Sequence, residues 1–251
     1  MAPASPRTGF DSSRLIRALS DLVSTDPADT RGSFADRLGH WLDFSDAIAL
    51  FSALGGSTGA PRGGTPVGAQ ALQAEFARVR ATLADSIHVD GVLGPGKARI
   101  KLPAPGWHAS IDGAADYLPY HRYYLAHQRD MAAAITPLRA SVRTELARQS
   151  AALRQLATLD GVLDQALAPR ERSLLATVPQ LLGRRFEQLH QAHRGTLPAD
   201  GADDPAGWLQ PGTWLTRFCH DMKAVLQAEL DLRLQPVAGL LEALNEVTTQ
   251  P

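Results

Sequence analysis

The sequence has little cysteine, little lysine and no long apolar run, and each shortage excludes a class of structure. Cys219 is the single cysteine, which excludes an intramolecular disulfide and a cysteine-based zinc or iron–sulfur site. A reducing, cytoplasmic location is therefore expected. The longest apolar stretch, residues 47–51, is far shorter than the roughly 20 residues that cross a bilayer, so membrane insertion is not expected.

The charges of the chain nearly cancel but are unevenly distributed. There are 25 basic and 26 acidic residues, a formal net charge of -1, and only three of the bases are lysines. Residues 115–195 hold eleven arginines against seven acids, or +4, whereas residues 196–251 hold three bases against eight acids, or -5. Either these two segments lie against each other in the fold, or the arginines form a basic stripe that binds an acidic partner.

Apolar residues recur at helical spacing along most of the chain, and no segment alternates persuasively as a strand, although residues 98–102 allow one short strand. The predicted fold class is all-α: an elongated antiparallel helical bundle or coiled-coil hairpin. Residues 1–54 are predicted to form a small amino-terminal helical cluster, 55–68 a flexible linker and 69–251 the bundle. The long helices of the bundle are predicted at about 116–167, 169–194 and 213–246.

Glycine and proline mark two long loops in this organisation. Residues 55–68 are so rich in both that a flexible linker is the best interpretation. In residues 88–113, Gly94-Pro-Gly96 and Pro103-Ala-Pro-Gly106 prohibit regular structure. A loop of that length indicates either function or disorder.

All four tyrosines lie between Tyr117 and Tyr124, which indicates a recognition surface or a demanding packing site. On a helix at 100° per residue, Tyr117, Tyr120 and Tyr124 fall within about 60° of one another and are predicted to face inward. The same inward stripe is predicted to continue through Met131, Ile135, Leu138, Val142, Leu146, Leu153 and Leu156. Tyr123 falls off that stripe and is predicted to stay accessible. The candidate interaction surface comprises His121, Arg122, Tyr123, Trp107 and Trp208.

For the two tryptophans of this surface, Trp107 and Trp208, there is an alternative interpretation. Tryptophan is enriched in binding hot spots, so exposed indole rings would contribute to a protein-binding surface. The alternative is that these rings pin loops onto the helical bundle. The sequence leaves both interpretations open.

Residues with catalytic or metal-binding chemistry are present but poorly arranged. Glu187, His190 and His193 share the face of one helix, yet a di-metal carboxylate bundle needs a second Glu-x-x-His, which the chain lacks. Cys219 and His220 are adjacent, so on a helix they point about 100° apart and make a poor nucleophile–base pair. No catalytic residue, metal site or cofactor is therefore predicted.

Several motifs point to a known family when taken in order. They are Pro6-Arg-Thr-Gly-Phe10 with Ser12-Ser-Arg-Leu, Phe34-Ala-Asp-Arg-Leu, Trp41-Leu-Asp, the tyrosine segment and Leu174-Leu-Ala-Thr-Val-Pro. Their order resembles an uncharacterised bacterial domain-of-unknown-function family over nearly the whole chain. The resemblance brings no activity or functional residue. It implies a partner among envelope proteins similar to ion-driven motor subunits and peptidoglycan-binding proteins, beside which members are encoded.

The leading hypothesis is a non-catalytic helical adaptor or assembly component that acts through contacts with other proteins. Self-association is also expected, because long amphipathic hairpins often dimerise. One alternative is an enzyme with a pocket in residues 88–124 that uses His88, His108 or His121 as acid or base. Another is nucleic-acid binding through the arginine-bearing helices, which the near-neutral charge disfavours.

Overall fold

The structure is a computed structural model that describes residues 13–23, 41, 43–55, 68–105, 115–197 and 203–249. Every regular element in this part of the chain is helical, so the all-α fold class is confirmed there, and residues 98–102 form no strand. None of the helices found in these ranges is long and apolar enough to cross a bilayer. The helices are α1 (Arg14–Val23), α2 (Phe44–Gly55), α3 (Ala69–His88), α4 (Leu118–Gln149), α5 (Ala151–Leu175), α6 (Val178–Arg194) and α7 (Trp214–Thr249), with a 3-10 turn at Pro205–Gly207.

The long helix predicted at about 116–167 is two helices in the structure. The break falls at Ser150, which has an extended backbone (φ -149°, ψ 166°) and whose hydroxyl accepts a 3.2 Å hydrogen bond from the Leu153 amide. A serine at this position satisfies an amide that the first turn of a helix leaves unpaired. Pro169, the predicted start of the next helix, lies inside α5, and so does Gly161. The next helix begins at Val178 rather than near residue 169.

The described chain forms two compact units, each built from several stretches of the chain. The first unit contains α1, Ala84–Arg129 and Val178–Leu232. The second contains α2, the α3 residues up to Leu83, Asp130–Thr177 and the chain from Arg233 onward. The long helices α4 and α7 contribute residues to both units. Of the predicted linker, residues 56–67 lie outside the described residues.

Each unit has an apolar core built from residues at helical spacing. The buried face of α4 follows the predicted stripe closely, because one residue in every three or four returns to the same side of a helix. Leu156 departs from it, since its side chain is exposed on α5. Core residues of the first unit include Leu182, Phe186, Leu215, Phe218 and Met222, and those of the second include Met131, Val142, Leu146, Val237 and Leu244.

Arginine–aspartate pairs join α4 to α5 within the second unit. Arg139 and Arg143 each contact both Asp160 and Asp164, with nitrogen–oxygen distances of 2.5–2.7 Å. All four residues lie inside the arginine-rich segment 115–195. These arginines therefore pair with carboxylates of their own segment rather than with those of residues 196–251.

Candidate functional site

The tyrosine segment begins with two rings that pack among the aromatic residues of α6 and α7. Tyr117 donates a 2.5 Å hydrogen bond to the carbonyl of Pro179, and Tyr120 lies within 5.6 Å, between ring centroids, of both Phe186 and Phe218. A side chain at Gly183 would place its Cβ 3.0 Å from the Tyr117 ring. The absence of a side chain there gives Tyr117 its space.

Tyr124 ends the segment in a buried polar network. Its hydroxyl donates a 2.7 Å hydrogen bond to Oε2 of Glu229, and the Gln128 amide donates to both oxygens of the same carboxylate at 3.0 and 3.1 Å. Tyr124 and Glu229 are both fully buried. A buried carboxylate needs such donors, because removing it from water is costly. The network therefore joins α4 to α7 within the first unit.

Tyr123 is buried, which corrects its prediction as an accessible residue. Only 3% of Tyr123 is exposed, and its ring packs edge-on against buried His127 with centroids 4.6 Å apart. Burial raises the pKa of Tyr123, and the nearby carboxylate of Asp90 adds to the increase. Tyr123 lies on a flank of α4 that is predicted from the helical wheel to be open. In the structure the turn at Asp90 lies close to this flank.

Asp90 organises the first part of the loop that follows α3. Its Oδ1 accepts hydrogen bonds from the amides of Val92 and Leu93, both at 2.7 Å, and of Gly94 at 3.0 Å. Its carbonyl accepts from the amide of buried Leu102 at 3.0 Å. One fully buried carboxylate therefore holds a turn of at least five residues at the start of the predicted loop. Residues 106–114 lie outside the described residues.

Lys223 of α7 completes this turn. Its ammonium group forms an ion pair with Oδ2 of Asp90 and donates a 3.3 Å hydrogen bond to the carbonyl of His88 at the end of α3. Burial raises the pKa of Asp90, but the Lys223 hydrogen bond and the turn amides outweigh it and lower the pKa overall. The sequence signal for this turn was Asp90-Gly91 followed by Gly94, because aspartate and glycine favour such turns.

Trp208 is also buried, which corrects its prediction as an exposed anchor for a partner. Only 2% of it is exposed, and its ring packs against Trp214 with centroids 5.0 Å apart. Its indole nitrogen donates a 2.7 Å hydrogen bond to Asp203, whose carboxylate also contacts His193 at 3.1 Å. The alternative interpretation, a tryptophan that pins a loop, describes this geometry. Trp107 lies outside the described residues.

The other reactive side chains considered from the sequence are those of Glu187, His190, His193 and Cys219. Within the described residues, no three histidine, cysteine, aspartate or glutamate side chains come together as a metal site, including Glu187, His190 and His193. Cys219 is fully buried, and burial, with a further contribution from Asp90, raises its pKa to about 12. Such a thiol is a poor nucleophile at neutral pH.

The histidines of the enzyme alternative occupy different environments. His88 is exposed at the end of α3, where its Nδ1 lies 2.7 Å from the carbonyl oxygen of Ala84. His121 is half-buried with its ring 6.0 Å from that of Tyr117, and its neighbour Arg122 is exposed. His108 lies outside the described residues. Of the five predicted surface residues, His121 and Arg122 are thus the accessible ones in the described part.

A second surface, which the predicted site did not include, lies on α2. The helix begins with reciprocal hydrogen bonds between Asp43 and Asp46, at 2.8 and 3.1 Å, which satisfy two backbone amides. It packs against α5 through its buried Ala53, and the carbonyl of Leu54 accepts a 2.7 Å hydrogen bond from Gln155. The opposite side of the helix is apolar and exposed.

We call this side the α2 apolar face; it consists of Phe44, Ile48, Phe51 and Leu54. Their exposed fractions are 80%, 51%, 77% and 58%. Phe44, Ile48 and Phe51 follow the i, i+4, i+7 spacing that places side chains in one row along a helix. Two phenylalanines exposed to this degree in one row form a contiguous apolar patch rather than scattered surface residues.

A family model described as a protein of unknown function (DUF3348) matches residues 1–246. The chain belongs to this family. The uncharacterised family inferred from the motifs is thereby confirmed, and the family description supplies no activity. Neither a curated protein nor a solved structure matches the chain.

Proposed function

We propose that the protein is a non-catalytic assembly component that acts through protein–protein contacts, and that a second copy of the chain occupies the α2 apolar face. The exposed row of Phe44, Ile48 and Phe51 carries this proposal. Water-exposed aromatic rings gain free energy when a partner covers them. The face contains no charged side chain, so its partner must be apolar at the same positions. A second α2 meets that requirement.

The area of the face supports a symmetric pair. Two exposed phenylalanines contribute roughly 300 Å², and the isoleucine and leucine bring the face to about 500 Å² per chain. Two copies would bury about 1,000 Å², near the lower limit for a specific interface. In a two-fold pair the same face serves both chains, and this is the commonest symmetry of soluble oligomers.

Sedimentation velocity of the full chain over a concentration series tests the proposal. We expect a monomer–dimer equilibrium whose dissociation constant rises at least about tenfold in Phe51→Glu, because the charge would be buried in the interface. Ala49→Glu is the matched control: it adds the same charge to an exposed position about 140° from Phe44 around the helix, and should leave the constant nearly unchanged.

Two results would contradict the proposal. A wild-type chain that stays monomeric at every concentration would leave the face without its proposed occupant. A dimer that tolerates Phe51→Glu would place the interface elsewhere. Cysteine cross-linking adds a positional test, because Cys219 is buried and Ile48→Cys therefore introduces one exposed thiol. We expect oxidation of this variant to yield a covalent dimer.

The setting of this assembly is also part of the proposal. The family resemblance supports a cytoplasmic complex linked to a motor-like system of the bacterial envelope, with other proteins as further partners. The elongated antiparallel bundle or coiled-coil hairpin remains a prediction from the sequence. The enzyme and nucleic-acid alternatives likewise stay predictions.

A further inference from the structure

Four arginines of the first unit line one groove between α1, α6 and α7. Arg14 and Arg17 come from α1, Arg185 from α6 and Arg217 from α7. The groove consists of two cavities of about 410 and 310 Å³, which share Ala18 and Ala224 in their walls. Small side chains at these two positions leave open space between the guanidinium groups.

Arg14 and Arg185 keep hydrogen-bond donors available although each contacts a carboxylate. Arg14 uses Nη1 to contact Asp231 at 2.7 Å, and Arg185 uses Nε to contact Asp221 at 3.0 Å. Each guanidinium group carries five N–H donors, so one such contact leaves most of the fork open. Arg217 is exposed and forms no ion pair with any residue in the described part of the chain.

The charge of the groove differs from that of the whole chain. The residues of the described chain that line it include four arginines and one acid, Asp221, and Asp231 lies beside Arg14. Asp231 and Asp221 pair with Arg14 and Arg185, and Arg17 has an interaction of its own, so Arg217 carries the uncompensated positive charge among the described lining residues, in a chain of net charge -1. A concave site with excess positive charge concentrates anions.

We propose that this arginine groove binds a small phosphate-bearing anion with at least two negative charges. Guanidinium groups recognise phosphate oxygens through paired N–H donors, and α6 and α7 place Arg185 and Arg217 at the same cavity, beside the cavity that Arg14 and Arg17 line. The volumes of the cavities lie in the range of small-molecule sites. A long nucleic acid fits less well, because the chain as a whole is slightly negative and offers no general attraction to a polyanion.

Titration calorimetry with inorganic diphosphate tests the site at constant ionic strength, so that general screening does not vary. We expect binding to the full chain with a dissociation constant below about 1 mM. Arg217→Gln should weaken it at least about tenfold, because it removes the guanidinium group that has no carboxylate partner. Arg184→Gln is the matched control: Arg184 is exposed on α6 beside Arg185 but does not line the groove.

Two further variants separate a defined site from diffuse attraction. Ala224→Met fills the space shared by both cavities without changing the charge, and should weaken diphosphate binding as Arg217→Gln does. Asp221→Asn removes a negative charge and releases Arg185, so binding should become several-fold tighter. Circular dichroism and urea unfolding identify any variant that has lost its fold.

The proposal is overturned if diphosphate up to about 10 mM produces no heat and no shift in the unfolding temperature of the wild type. Equal losses in Arg184→Gln and Arg217→Gln would show general charge attraction and would also overturn it. Binding of a ten-nucleotide oligothymidine without binding of diphosphate would replace it with the nucleic-acid alternative. The site does not depend on the α2 apolar face, so dimerisation and anion binding are tested separately.

Discussion

The hydroxyl of Tyr124 lies 2.7 Å from Oε2 of Glu229, a carboxylate 105 positions later in the chain, and both residues are fully buried. Gln128, one turn after Tyr124, donates to the same carboxylate. Both of these donors to the Glu229 carboxylate therefore lie on one face of α4. The neighbouring hydroxyl of Tyr123 is also buried but has no hydrogen-bond partner among the described residues. Adjacent tyrosines therefore contribute to stability in different ways.

Tyr124→Phe should lower the free energy of unfolding by about 1–3 kcal/mol, because it removes a hydrogen bond to a buried carboxylate. Tyr123→Phe is the matched control and should stay within about 0.5 kcal/mol of the wild type or be slightly more stable, since the Tyr123 hydroxyl makes no hydrogen bond within the described part of the chain. Urea denaturation measures both. Equal destabilisation by the two substitutions would argue against the Tyr124–Glu229 bond as the source of the difference.

Gly94→Ala should destabilise the protein by at least about 1–3 kcal/mol, because the new methyl group would overlap the carbonyl oxygen of His88. The same change at Gly161 has open space around it on α5 and should stabilise by about 0.5–1 kcal/mol through better helix propensity. Thermal and urea unfolding of the two variants test this opposition. A neutral Gly94→Ala variant would mean that the Asp90 turn can shift away from α3.

His127 should make the protein less stable as the pH falls from about 6.5 to 4. Burial, with smaller contributions from Arg99 and Lys223, lowers its pKa from 6.5 to about 4, so in this range the unfolded chain binds a proton that the folded chain does not. The stability contribution is complete above pH 6.5, and about 3 kcal/mol is lost by pH 4. Urea unfolding from pH 4 to 7 measures the slope.

His127→Phe keeps a ring beside Tyr123 and removes this titration, so its stability should vary less with pH than that of the wild type. The pKa of His190 is also lowered, chiefly by burial, and some slope should therefore remain. An unchanged slope in His127→Phe would show that His127 is not the titrating group.

Asp160→Asn should cost about 1–3 kcal/mol, because both Arg139 and Arg143 donate to its carboxylate. Burial raises the pKa of Asp160, but the two arginines lower it overall, so this stabilisation is present above pH about 4 and is lost as the pH falls through the lowered pKa. Asp164→Asn should cost less, since its side chain is 33% exposed against 14% for Asp160.

A double-mutant cycle of Asp160→Asn with Arg143→Gln separates the pairwise interaction from the effects of each substitution alone. We expect a coupling energy above about 0.5 kcal/mol between these two positions. Strict additivity would indicate that Arg139 rather than Arg143 provides most of the stabilisation of the Asp160 carboxylate.

Local patterns were sufficient where a prediction depended on neighbours within a few turns. The spacing of Met131, Ile135 and Val142 predicted the buried face of α4, because helical geometry brings such residues together wherever the helix lies. The break at Ser150 was missed, because serine is a common residue that caps a helix in one context and lies inside one in another. Periodicity also could not show that α2 packs through Ala53 and leaves Phe44 and Phe51 exposed.

The sequence by itself determined the helical class and the family, since both follow from the order and periodicity of side chains along the chain. The tertiary structure decided which polar and aromatic groups are accessible. Tyr123 and Trp208 are buried because elements distant in sequence cover them, and Asp90 becomes structural because Lys223, 133 positions later, reaches its carboxylate. Burial depends on the sum of contacts from every packed element, and contacts at long sequence separation leave no local pattern.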